Sequence, residues 1–177
     1  MLLVVPLVLA LVIGVAGGGS IGNLANLRFR WPWFVVAVLV IREAVLFRPL
    51  NRIDGVQYLY AAALAGLVAW TAWHIRRIPG VWVVTVGAAS NLIVVLANGA
   101  RMPVTPSLAG SLVNRGPVAQ YTLMGPDTRL DWLGDWIGFP WPVPGAYSPG
   151  DLLIALGIGI VVILAIAHRP DVGTKLD

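Results

Sequence analysis

Five runs of apolar residues divide the chain, each bounded by glycine, proline or charge: residues 1–15, 31–47, 56–73, 81–97 and 152–167. A helix that crosses hydrocarbon needs ~20 mostly apolar residues, with ~17 near the short limit. Spans of about 15 to 18 residues therefore suit a thin bilayer or little tilt. The pattern predicts an all-α integral membrane fold, a five-transmembrane-helix bundle forming a single membrane domain over residues 1–177. A long loop, residues 98–150, separates helices 4 and 5. The first run lacks the Lys or Arg that opens a secretory signal and is read as a retained helix. Trp31 and Trp33 open the second run, and Tyr58, Tyr60, Trp70 and Trp73 sit at the ends of the third, as interfacial aromatics do.

Composition narrows the class. Hydrophobic residues make up 58% of the 177 and charged residues only 11%, against about 25% charged in soluble domains. So short a chain cannot hide that much apolar surface in a core of its own. The absence of cysteine excludes disulfide frameworks and thiolate sites. A net charge of +4 fits basic flanks of spanning helices, and no nucleic-acid-binding pattern is present.

Charge also sets an orientation. Loop 1–2, loop 3–4 and the tail carry Arg28, Arg30, Arg76, Arg77, Arg169 and Lys175. The positive-inside rule makes that side cytoplasmic. The N-terminus and loop 98–150 then face outward, and the C-terminus inward.

Polar positions within this frame are the candidates for chemistry. Arg42 and Glu43 interrupt the second run, and intramembrane charges mark an internal pair or a functional site. Asn98-Gly99 stops the fourth helix, and Arg101 follows at the boundary, where a guanidinium can take a carboxylate or phosphate. Asp151 is placed to cap the fifth helix. Asp127, Asp131 and Asp135 recur at i, i+4 and i+8, with Leu130, Trp132, Leu133, Trp136 and Ile137 opposite. That spacing predicts a short amphipathic helix in the outer interface. Its acidic face is either solvated or a divalent-cation site on Asp127, Asp131 and Asp135. The stretch Gly17-Gly18-Gly19-Ser20 leads to a short segment with Ser20 as N-cap, which would lay Arg28 and Arg30 against lipid headgroups. A glycine-rich phosphate cradle is the alternative, although the Gly-Lys-Ser/Thr ending is missing. His74 and His168 flank helix ends and read as interfacial.

Several motifs carry a family resemblance. They are Asn23-Leu24-Ala25-x-Leu27-Arg28-x-Arg30-Trp31-Pro32-Trp33, Asn98-Gly99-x-Arg101-Met102-Pro103-Val104, Leu133-Gly134-Asp135 and Gly150-Asp151. The chain resembles a bacterial integral-membrane family catalogued only as a domain of unknown function. The resemblance implies a multi-pass protein of the bacterial inner membrane, with no activity, cofactor or functional residues to carry over. The expected role is a non-catalytic accessory or scaffold subunit of a larger membrane complex. Its partners would be membrane lipids and other membrane-protein subunits, with no nucleic acid and no cofactor. The alternatives are a binding or transport module built on Arg42, Glu43, Asn98, Arg101, Asp135 and Asp151, and a metal-dependent membrane enzyme using the outer aspartates.

Overall fold

A computed structural model describes residues 4–46, 53–110, 119–140 and 145–167. His168, Arg169, Lys175, Arg48, Arg52 and Arg115 fall outside these residues. The fold is mostly helical. Among the described residues, the helices are α1 (Val4–Ala16), α2 (Pro32–Leu46), α3 (Val56–His74), α4 (Val81–Ala97) and α5 (Pro149–Ala167). They pack in the order α2, α3, α4, α5, α1, so the first helix closes against the last.

Two helices are long and apolar enough to cross a membrane, α3 and α5 at 19 residues each. At 1.5 Å per residue each reaches about 28 Å, close to the thickness of a hydrocarbon core. Helices α1 and α4 are apolar but shorter, at 13 and 17 residues. Helix α2 has 15 residues and carries Arg42 and Glu43. Among the described residues, two helices reach crossing length where five spans are expected.

Local chemistry fixes the helix ends. Pro32 opens α2, where a missing N–H does no harm. Ser148 and Asp151 form a reciprocal cap on α5. The Asp151 N–H donates to Ser148 Oγ at 3.0 Å, and the Ser148 N–H donates to Asp151 Oδ2 at 3.3 Å. Helices α4 and α5 meet backbone to backbone. A Cβ on Gly87 would lie 2.5 Å from the Gly150 carbonyl oxygen, and one on Gly157 would lie 2.6 Å from the Val84 nitrogen. Only glycine permits that approach, which brings the two backbones into van der Waals contact.

The segment between α4 and α5 is not the expected loop with an amphipathic helix. It makes a roof from short strands β1 (Met102–Val104), β2 (Tyr121–Leu123), β3 (Ile137–Phe139) and β4 (Gly145–Tyr147). β1 pairs in parallel with β2, and β3 pairs antiparallel with β4. Asp135 bridges to Val104 on the other edge of β1, with its N–H on the Pro103 carbonyl at 2.8 Å. One 3-10 turn, Asp131–Leu133, replaces the predicted helix. Leu130 before it is left-handed (φ 54°), and the Asp131 carboxylate accepts the Trp132 N–H at 2.9 Å. An Asp side chain that bonds the neighbouring backbone competes with helix. Asp127 and Asp131 are consequently exposed while Asp135 is buried, and the acidic stripe does not exist.

The bundle therefore has a roofed end and a bare end. At the bare end, the short helical segment Ile21–Asn26 is 3-10 rather than α, and Ser20 Oγ accepts the Gly22 N–H at 3.2 Å as its cap. The apolar core runs beneath the roof, where Met102 and Leu133 pack on Ala61, Leu64, Val94 and Val95.

Candidate functional site

At the roofed end, side chains from four elements and the roof converge. Register places Tyr121 opposite Met102 and Asp135 opposite Val104. Facing residues of parallel strands share a side, and i and i+2 share it too. Tyr121 and Asp135 thus point with Met102 toward the helices. There the Arg42 guanidinium of α2 hydrogen-bonds Tyr121 and feels the charge of Asp151 on α5. Tyr60 of α3 stands within electrostatic reach of Arg42, Tyr121, Asp135 and Asp151.

Asp135 is the centre of this cluster. It is 5% exposed, and its Oδ1 has no hydrogen-bond partner. Burial pushes its carboxyl up to about 8; the neighbouring Asp151 charge adds to the rise, and Arg42 opposes it. A buried polar atom without a partner carries the full desolvation penalty, about 1–3 kcal/mol. Gln120, fully buried, leaves both amide atoms unpartnered, and Arg101 leaves its buried Nε unpartnered. The β1–β2 register extended by one residue sets Arg101 beside Gln120, on the opposite side from Tyr121.

Asp151 sits at the edge of the cluster in a closed network. Asn91 Nδ2 donates to Asp151 Oδ1 at 2.8 Å, and Ser148 Oγ donates to Asn91 Oδ1 at 2.8 Å. Asn98 has a positioning task. Its amide donates to the Arg129 and Val94 carbonyls at 2.8 Å and accepts the Arg129 N–H at 3.0 Å, pinning the roof to the end of α4. Arg42 and its neighbour Glu43 are both exposed on α2. Of the residues that the sequence proposes, the structure gathers Arg42, Asp135 and Asp151. Arg101 lies behind β1, Asn98 is consumed by the roof, and Glu43 stands outside.

Among the described residues no group of three or more His, Asp or Glu side chains is placed to hold a metal. With the stripe broken, Asp127, Asp131 and Asp135 do not form a cation site. Tyr60, Tyr121 and Asn91 are the participants that sequence reasoning misses, and Gln120 is a buried group behind β1 that it also misses. Asn91 interrupts an apolar run, and that interruption is the available signal. Tyr60 passes for an interfacial aromatic, and nothing local marks Tyr121 or Gln120.

The bare end is built differently. His74 is 2% exposed, buried rather than interfacial. Its Nδ1 faces the Trp70 carbonyl at 2.7 Å, and its Nε2 accepts the Arg30 N–H at 3.1 Å. The first bond requires the proton on Nδ1 and the second requires a bare Nε2, so the ring is a neutral imidazole of fixed tautomer. Trp70 Nε1 donates to the Arg30 carbonyl at 2.9 Å, and Asn23 Nδ2 donates to the Ile166 carbonyl at 2.9 Å.

Comparison with known families gives one match, to a family of unknown function, DUF5317, over residues 26–163 of the 177. The chain belongs to the DUF5317 family. No curated protein and no solved structure matches it. The DUF5317 match contains Arg42, Tyr60, Tyr121, Asp135 and Asp151 whole, and leaves out α1.

Proposed function

We propose that this chain is a multi-pass protein of the bacterial inner membrane, with all five helices in lipid and the roof outside. The site under the roof would bind a small polar solute, making the chain a binding or transport module. The carrying observation is Asp135: a buried carboxylate with an unpartnered oxygen, facing Arg42 and the tyrosine hydroxyls across helices and roof. A solute with a hydrogen-bond donor for Asp135 and an acceptor for Arg42 or a tyrosine completes that set. Apolar side chains support the membrane placement. Val8, Val12, Leu39, Val40, Ile93, Leu96 and Leu156, from α1, α2, α4 and α5, are all exposed, and a surface of that extent needs lipid or a partner.

The test uses protein extracted in native lipid discs. Small molecules retained by wild type, Asp135→Asn and Arg42→Gln are compared by mass spectrometry. A solute held by wild type and lost from both variants supports the site. Identical contents in all three end it. Topology is tested separately with introduced cysteines, since the chain has none. An exposed Ser107→Cys should label from outside, and an exposed Ser20→Cys should not.

An accessory subunit in a larger membrane complex is the second reading. It is favoured by the roof, where Trp132 and Trp136 are 62% and 50% exposed and offer an aromatic contact surface. Stoichiometric partners after mild-detergent purification would favour it, and a partner-free protein would not.

A further inference from the structure

The bare end carries an arrangement that the outward-facing site does not use. Trp31 precedes Pro32 yet holds a left-handed backbone, φ 57°. A residue before proline prefers extended backbone, and a bulky side chain avoids the left-handed region. The turn sets the Trp31 ring 6.5 Å from that of Trp73 on α3. The Arg30 guanidinium lies 5.5 Å over Trp31, and the Arg77 guanidinium lies 5.5 Å over Trp73. Four exposed side chains from two helix ends thus form one continuous strip, arginine, tryptophan, tryptophan, arginine.

Among the described residues the strip has no counter-charge beside it. Every acidic side chain among the described residues sits in or beside the roofed end: Glu43, Asp54, Asp127, Asp131, Asp135 and Asp151. Indoles favour the headgroup level of a bilayer, and a planar guanidinium matches phosphate oxygens with two parallel hydrogen bonds. Each guanidinium is held near an indole ring before a ligand arrives, which limits the ordering penalty of binding.

We propose that Arg30, Trp31, Trp73 and Arg77 form a binding site for the phosphate headgroup of an anionic phospholipid in the leaflet at this end. The inference rests on the membrane placement proposed above. A zwitterionic headgroup brings its own ammonium and loses most of the attraction.

The intact protein in mild detergent, offered equal phosphatidylglycerol and phosphatidylcholine, is read by native mass spectrometry. Wild type is expected to retain phosphatidylglycerol over phosphatidylcholine by roughly thirtyfold, as two near-surface arginines provide. Arg30→Gln with Arg77→Gln should lose that preference, and Arg28→Gln with Arg76→Gln should keep most of it. Equal loss in the two pairs would mean a diffuse field and overturn the site. Displacement of the lipid by millimolar glycerol phosphate would also overturn it, since a free phosphate would then suffice. Should the glutamine pair fail to fold, Arg30→Lys with Arg77→Lys keeps the charge. That pair should lower the preference without abolishing it, and an unchanged preference would rule out guanidinium recognition. Flotation with liposomes separates the two proposals. A chain that does not float fails the membrane reading, whereas a floating chain without lipid preference fails only this one.

Discussion

The two ends of the bundle differ in a pair of buried polar groups that find no partner at one end and a ring that finds two at the other. At the bare end His74 is 2% exposed and has a partner for each ring nitrogen. At the roofed end Asp135 is 5% exposed and has an oxygen with none, and Gln120 has no partner at either amide atom. Satisfied groups hold a structure in one arrangement, and each satisfied bond contributes about 1 kcal/mol net. Unsatisfied ones oppose folding, and structures keep them where function needs them. The contrast teaches that the His74 side chain is fixed by its own protein partners, whereas Asp135 and Gln120 are left open to one from outside.

The largest expected effect breaks the contrast at Asp135. Its carboxyl ionises near 3.8 in an unperturbed chain and at about 8 in the fold. Between those values the folded state binds more protons than the unfolded state, so stability falls as pH rises through the window and levels off above it. The full loss is at most about 6 kcal/mol by linkage. Asp135→Asn cannot ionise and should remove the slope. Thermal unfolding from pH 5 to 9 in lipid discs should show wild type weakening and the variant flat, with the variant the more stable at pH 9. A variant that weakens as wild type does would place the titration elsewhere.

At the bare end the same kind of change should run the other way. His74→Ala strands the Arg30 N–H, removes the side-chain partner of the Trp70 carbonyl and opens a cavity beside Phe29 and Trp70, whose rings lie 6.0 and 4.3 Å from the imidazole. A loss of about 3 kcal/mol follows from one buried side chain and one orphaned backbone group. Denaturant unfolding measures it. A loss below about 1 kcal/mol would mean that water replaces the ring and that the bare end is looser than its bonds imply.

Sequence reading reached the two ends unequally. Within the described residues each apolar run forms a helix, because burial in helices leaves a local, continuous signature. The roof left none. β1 and β2 have three residues each and pair across residues 105–120, and such contacts depend on distant partners rather than on periodicity. The spacing of Asp127, Asp131 and Asp135 satisfied a helical template while Asp131 bonded the Trp132 N–H and turned the chain instead. Charge alone marked Arg42, Asp135 and Asp151 as unusual. Their association with Tyr60 and Tyr121 follows from register and packing, which no local window contains.

The smallest effect sharpens the comparison through backbone strain, which occurs at both ends. Leu130 on the roof and Trp31 at the bare end are both left-handed, at φ 54° and 57°. Left-handed geometry disfavours a non-glycine residue by roughly 1–2 kcal/mol, and glycine in turn loses about 0.5–1 kcal/mol in chain entropy. Leu130 is 37% exposed, and its carbonyl, which accepts the Leu133 N–H at 2.8 Å, survives substitution. Leu130→Gly should therefore stabilise by about 0.5 kcal/mol. Trp31→Gly gains the same relief but forfeits the tilted ring contact with Trp73 and the Arg30 contact, each about 0.5–1.5 kcal/mol, so a net loss of about 1 kcal/mol is expected. Thermal unfolding of both variants in parallel decides it. Gains of equal sign would show that the Trp31 strain is repaid by nothing in the protein itself. The aromatic strip would then be stabilised only by what binds it, and the loss in Trp31→Gly should return when anionic lipid is added to the assay.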